Sequence, residues 1–177
     1  MFRIDFNRLR FLVIEDSAHM RRILRTLLHG FGAREVYEAD DGASGLETFT
    51  HFMPDIVIAD WVMPIFDGLE LAQMIRQPAN ANPYVPIIML TGHSDKKRVM
   101  IARDAGVTEF IAKPISAKSL YVRILNVVAK PRPWSIENGA ISASKFSTRI
   151  KQDSAVSTSA IAAPTERGKA ARLEIAA

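Results

Sequence analysis

Five polar residues each close a run of apolar ones. Glu15 and Asp16 end "RFLVIED", Asp60 ends "DIVIAD", Thr91 follows "VPIIML", and Lys113 follows "EFIA". Brought together, they amount to three carboxylates, a hydroxyl and an ammonium. Three carboxylates within a few ångströms repel one another, so either one keeps its proton or a cation neutralises them. The chain has no cysteine, and no two of its four histidines have metal-pair spacing. The donor set is therefore hard oxygen, which favours Mg2+, an ion that keeps several waters and binds few carboxylates plus a phosphate. An aspartate is already ionised at neutral pH and can act as a nucleophile without a general base, given alignment and charge neutralisation. A metal and Lys113 would stabilise charge on transferring phosphoryl oxygens, and Thr91 could donate a hydrogen bond to the bound group. The chemistry these parts suit is phosphoryl transfer to an aspartate.

Such residues meet only if the fold aligns the ends of the apolar runs, and the order of elements does this. Strands are predicted at 10–16, 33–39, 55–60, 85–90 and 109–113. Helical periodicity fills the intervals at 18–32, 41–52, 67–77, 95–106 and 116–130. Met20, Ile23, Leu24, Leu27 and Leu28 make the apolar stripe of the first helix. Leu46, Phe49 and Phe52 face inward from the second, and Leu120, Ile124, Leu125 and Val128 from the last. Asp16 or Ser17 can cap the first helix, and Gly30 and Gly32 can end it. Five alternations of strand and helix argue an α/β fold with a parallel sheet covered by helices on both faces. "DIVIAD" is continuously apolar up to its acid, as strands buried on both faces are. Ligands of such folds sit at the carboxyl ends of the strands, which is where the five polar residues fall.

A chain of 177 residues with 48% apolar content fits one domain with a real core and an extension. The N-terminus lacks the apolar stretch and small-residue cleavage site of a signal peptide. No apolar run approaches the roughly 18–20 residues of a membrane span, so the reading is soluble and cytoplasmic, without membrane insertion. Residues 1–130 hold 16 basic and 15 acidic residues, and residues 131–177 the other seven and four. The nearly neutral first part gives no support for nucleic-acid binding, which needs a concentrated basic face. Pro131 and Pro133 end the last helix. The domain is therefore placed at 1–130. Residues 131–177, rich in Ser, Ala and Thr, read as a low-complexity, mostly disordered tail with a short helical piece near 142–151. The tail is expected to be dispensable for folding, with Trp134 and Phe146 its best anchors should it pack.

The chain resembles bacterial two-component response-regulator receiver domains, closest to single-domain chemotaxis-type regulators, over about residues 9–130. The resemblance rests on the Glu15-Asp16 pair, "DWVMPIFDG" with Asp60 at its head, Thr91-Gly92 and Lys113-Pro114, in order and at receiver spacing, with "MRRILRTLL" added. It implies a flavodoxin-like doubly wound sheet of five parallel strands in the order 2-1-3-4-5, with five helices. It further implies that Asp60 accepts the phosphoryl group, and that Glu15, Asp16, Asp60 and the backbone carbonyl of Val62 hold Mg2+. Lys113 would pair with the phosphoryl group, and the Lys113-Pro114 bond would be cis. Thr91 and Phe110 would form a switch pair. The side chains of Val62 and His93 would flank the attacking water and tune the lifetime of the phosphorylated state. The donor would be a phosphohistidine on a sensor histidine kinase or phosphotransfer protein. Output would pass to an unidentified protein through a face made by 95–105, 109–113 and 116–130.

Blander readings exist for each residue alone. Glu15-Asp16 could merely start a helix, Asp60 could be a turn acid, Lys113 a surface lysine and Phe110 a core aromatic. His29 and His51 sit near helix ends, where partial positive charge is favourable. Trp61 is either an exposed loop aromatic or a lid beside the site, and Lys96, Lys97 and Arg98 a solvated helix start. At the level of function, the switch competes with a Mg2+-dependent aspartyl-phosphate phosphatase or phosphotransferase. That enzyme would want an acid two residues after Asp60, where Val62 stands, and a substrate cap that the chain lacks. A scaffold that is never phosphorylated has no need of three repelling carboxylates. The chain is thus expected to transfer and lose its own phosphoryl group rather than to act as an enzyme on others.

Overall fold

A computed structural model describes residues 4–92, 96–129, 134–137 and 140–143. Strands β1 (Arg10–Ile14), β2 (Glu35–Ala39), β3 (Ile56–Asp60), β4 (Ile87–Thr91) and β5 (Glu109–Ala112) alternate with helices α1 (Ala18–Gly30), α2 (Gly42–Phe52), α3 (Gly68–Ile75), α4 (Lys96–Asp104) and α5 (Ala117–Ala129). The five strands form one parallel sheet in the order β2-β1-β3-β4-β5. This is the flavodoxin-like order that the resemblance implies.

The continuous apolar runs divide by parity, because successive side chains on a strand point to opposite faces. Phe11 and Val13, Ile56 and Ile58, and Ile88 and Leu90 join Leu24 and Leu28 of α1 and Leu120, Ile124 and Val127 of α5. Leu12 and Ile14, Val57 and Ala59, and Ile87 and Met89 face Phe49 of α2, Leu71 and Ile75 of α3 and Ala102 of α4. Two cores on the two sides of one sheet leave β3 and β4 buried throughout and β1 buried from Phe11 on. Fully burying one such Leu, Ile or Phe contributes about 1.5–3 kcal/mol, so the three central strands fix the register of everything attached to their ends.

Three details differ from the sequence reading. In α5 the third buried position is Val127, while Leu125 is only half-buried. The stripe 120, 124, 127 follows the helical period more closely than one through 125. In α2, Phe52 lies on the outer side, stacked on Tyr37 of the edge strand β2 with ring centroids 4.2 Å apart. The third concerns the segment after α5. Trp134–Glu137 (β6) and Ala140–Ala143 (β7) form an antiparallel hairpin, where disordered chain and, from residue 142, a helical piece were expected. The cause is local: Asn138-Gly139 lies between two branched residues, Ile136 and Ile141, and Asn-Gly is the strongest short hairpin signal. The rest of the expected helical piece, 144–151, and Phe146 lie outside the described residues.

Candidate functional site

The carboxyl ends of β1, β3, β4 and β5 lie along one edge of the sheet. Just past β1, Glu15 donates its backbone N–H to the Ala39 carbonyl, so it is still in the ladder when its side chain turns to the edge. Asp60 is the last residue of β3 and Thr91 the last of β4. The Lys113 N–H donates to the Thr91 carbonyl at 2.8 Å, carrying the ladder one residue beyond β5. The Lys113-Pro114 bond is cis.

These ends assemble a cluster. Glu15, Asp16 and Asp60 each offer a carboxylate oxygen within 4.8 Å of the others. Glu15 is 1% exposed and Asp60 6%, whereas Asp16 is exposed. The Lys113 ammonium lies 3.0 Å from Glu15 Oε2 and 3.0 Å from Asp60 Oδ2. The repulsion anticipated from the sequence is therefore relieved by the chain's own lysine, which bridges the two buried acids. Asp60 Oδ1 accepts from the Trp61 N–H at 2.9 Å.

The ends of this bridge respond differently. Burial raises the pKa of Glu15 above its ordinary value; the hydrogen bond from Lys113 lowers it again but does not win, and the nearby Asp60 charge adds to the rise. Lys113 is less deeply placed. Burial pulls its pKa down, but hydrogen bonds and attraction from Asp60 and Glu15 outweigh burial and leave it raised. The site thus holds a firmly charged lysine between acids that share too little positive charge. Hard oxygen donors, short mutual distances and incomplete neutralisation fit Mg2+.

Loops hold the acids in place. Ser17 caps α1 by accepting from Met20 N–H. Arg21, one turn along, donates to the backbone carbonyls of Glu15 at 2.6 Å and Asp16 at 3.2 Å. Glu38, 3.6 Å from the Arg21 guanidinium, anchors that arginine. Arg21 was visible in the sequence only as part of "MRRILRTLL"; nothing there marked it as the residue that grips the acidic turn. On the other side, "DWVMPIFDG" folds back on itself. Asp67 caps α3 in a reciprocal capping box with Glu70. Gly68 donates to the Trp61 carbonyl at 2.8 Å and lies so close to the Asp60 carbonyl that a Cβ would collide with it. The Asp67-Gly68 pair at the end of that motif thus starts a helix while leaving room for the backbone of the acid that precedes the loop. Within the loop, Met63 is buried, and Ile65 adopts φ 70°, a conformation unusual for a β-branched residue.

The remaining sequence candidates fall as follows. Phe110 in β5 is half-buried and packs into the core on the α2–α4 side; its neighbour in register on β4 is Met89, while Thr91 is opposite Ala112. Thr91 is buried. Val62 is 68% exposed, so its side chain is directed to solvent beside the cluster. Trp61 is half-buried, with the Arg98 guanidinium of α4 6.0 Å from its ring centroid. His93 lies outside the described residues.

Residues 11–125 match the response regulator receiver domain family. The chain is 33% identical over 112 residues to chemotaxis protein CheY-3 of Vibrio cholerae, an alignment covering 63% of this chain and 85% of that protein. Among solved structures, it is similar to chemotaxis response regulator CheY4 of Vibrio cholerae, with a TM-score of 0.63 and 26% identity over 67% of this chain and 98% of the other. It is also similar to the receiver domain of sensor histidine kinase PA1611 from Pseudomonas aeruginosa PAO1, with a TM-score of 0.59 and 27% identity over 67% of this chain and 94% of the other. That structure has a magnesium ion coordinated in its active site cleft. Among the described residues of the present chain, no helix is long and apolar enough to cross a membrane.

Proposed function

The chain belongs to the response regulator receiver domain family, and from that premise we propose that it is a chemotaxis-type switch phosphorylated on Asp60 by a phosphohistidine of a sensor kinase or phosphotransfer protein in the cytoplasm. The observation that carries the reading is the arrangement around Asp60. One carboxylate oxygen is held by the Trp61 N–H and the other by Lys113, with Glu15 and Asp16 alongside. Both contacts hold the Asp60 carboxylate in one orientation, and alignment is what an aspartate nucleophile needs.

An Asp60 oxygen forms a bond to phosphorus while the donor P–N bond breaks and its electron pair returns to the imidazole nitrogen. Glu15, Asp16 and Asp60, with the Val62 backbone carbonyl, are the residues that would hold Mg2+; when bound, the ion neutralises the acids and the charge on the phosphoryl oxygens. Lys113 already spans Glu15 and Asp60. A phosphoryl group on Asp60 offers it more negative charge than Glu15 does, so it supplies the fixed ammonium that pairs with the group. The Thr91 hydroxyl donates to a phosphoryl oxygen, and Phe110 turns further inward into the space that this opens. The reader of the change is a partner protein on the face of α4, β5 and α5, where Met100, Ile101 and Val122 are exposed. Val62 has no hydrogen-bonding atom with which to orient an attacking water, so it favours a long-lived adduct, while His93 would work in the opposite sense. The chain acts on its own aspartate and not as an enzyme on others.

The test is phosphorylation by acetyl phosphate followed by intact mass. With Mg2+ the wild-type chain gains one phosphoryl group. With EDTA it gains none, and Asp16→Ala forms adduct at least about tenfold more slowly because the cation site has lost a ligand. Equal adduct with and without Mg2+ contradicts the reading.

A further inference from the structure

Arg76, the residue that ends α3, is buried, and among the described residues its guanidinium has no carboxylate partner. It donates from Nε and Nη2 to the Gly106 carbonyl at 3.1 and 2.8 Å, and from Nη1 to the Pro83 carbonyl at 2.8 Å. Burial pushes it down to about 9, which leaves it charged at neutral pH. Gly106, just past the end of α4, has φ +93°, and a Cβ there would strike the Arg76 side chain. The arginine therefore pins the backbone at the end of α4. What covers the guanidinium face is Trp134, the first residue of the hairpin, with its ring centroid 4.4 Å from the Arg76 Cζ. The Tyr84 ring lies 6.2 Å from Trp134, and β7 runs beside α4.

A hairpin of two four-residue strands is too short to be stable unless it packs on something. An aromatic face on a desolvated cation is a strong form of the cation–π contact, stronger than the same pair in water. It also excludes water from the Arg76 hydrogen bonds, which strengthens the grip on Gly106. Near the start of α4, the exposed Arg98 has its guanidinium 6.0 Å from the ring of Trp61, the neighbour of Asp60. One helix thus comes within reach of the phosphoacceptor's neighbour near its start and is held at its end by the arginine that Trp134 covers.

We propose that the paired strands Trp134–Glu137 and Ala140–Ala143 are an intramolecular strap, latched by Trp134 on Arg76, which holds α4 in its unphosphorylated position and is loosened when Asp60 is phosphorylated. The linkage rests on the function proposed above. A phosphoryl group beside Trp61 attracts Arg98. A helix moves as a unit, so displacement of its start is transmitted to the turn that Arg76 and Trp134 hold. Linkage is reciprocal: a strap that prefers one position of α4 opposes phosphorylation, and its release changes the helix that presents Met100 and Ile101.

Amide hydrogen exchange on the full chain, read by mass spectrometry, tests both parts. In the unphosphorylated wild type, amides of 134–137 and 140–143 are protected. In Trp134→Ala exchange there rises by about tenfold, while Trp134→Phe, which keeps an aromatic face, retains most of the protection. Exchange at wild-type level in Trp134→Ala, or no protection in the wild type, overturns the latch. Acetyl phosphate and Mg2+ are then added until intact mass shows the adduct. Exchange of the hairpin and of residues 104–107 rises in the phosphorylated wild type; unchanged exchange with the adduct present overturns the linkage. Absence of any adduct instead defeats the reading of Asp60 and the linkage with it, and leaves the Trp134→Ala comparison to decide the latch.

Discussion

At the scale of single residues, Lys113 explains how the chain tolerates three acids at one edge. Its ammonium is shared by Glu15 and Asp60, so neither buried acid is fully compensated. The pKa of Glu15 is raised above 4.5, which means that the folded chain binds a proton there more tightly than the unfolded chain. Stability contributed by this group is therefore greatest below the ordinary glutamate range and declines as pH rises through the window just above it. Glu15→Gln removes that decline. In EDTA, the stability of Glu15→Gln relative to wild type should improve as pH is raised from 4 to 7, measured by urea unfolding at each pH. A difference that stays constant, or that moves in favour of the wild type, contradicts incomplete neutralisation. With Mg2+ present the order should reverse at neutral pH, because the metal stabilises the form that keeps all three acids. The positions of these residues could be read from the sequence, since each closes an apolar run. The bridge could not. The resemblance gives Lys113 to the phosphoryl group, and nothing in the spacing of 15, 60 and 113 tells which acid a free lysine will choose.

The elements owe their order to patterns that a sequence displays openly. Continuous apolar runs marked β1, β3 and β4, and their parity sorted them onto two cores. Edges and ends were less legible, because there the contact that decides is not periodic. Phe52 sits at an inward position by helical spacing, yet finds Tyr37 on the exposed edge strand. Arg76 reads as an ordinary cation at a helix end, and its burial depends on carbonyls from two loops, one just after α3 and one at the far end of α4. The hairpin was hidden by the Ser/Ala/Thr composition around it, although Asn138-Gly139 announced it. The loop after β3 offers a test at this scale. Gly68 lies where a Cβ meets the Asp60 carbonyl, so Gly68→Ala must displace either the start of α3 or the backbone of the acid. Overpacking of this kind costs about 1–3 kcal/mol, and urea unfolding should show a loss in that range together with slower phosphorylation. A loss below about 0.5 kcal/mol, the ordinary scatter of surface changes, would mean that the loop accommodates a methyl group freely.

For the whole molecule, the parallel sheet makes a site out of residues almost a hundred positions apart. The same geometry puts the ends of the helices on the opposite side, where Arg76 and Trp134 meet. The two ends of α4 therefore connect the acid cluster with the segment that follows α5, and the folded unit extends past the boundary at residue 130 expected from composition. The account depends above all on Asp60 as the acceptor. Asparagine is nearly isosteric with aspartate and keeps an acceptor for the Trp61 N–H, but it lacks the charge that makes the oxygen nucleophilic. The most direct measurement is intact mass of wild type and Asp60→Asn after equal exposure to acetyl phosphate and Mg2+, with circular dichroism to confirm that both are folded. The account predicts one phosphoryl group on the wild type and none on the folded Asn variant. An adduct of full extent on Asp60→Asn would contradict it.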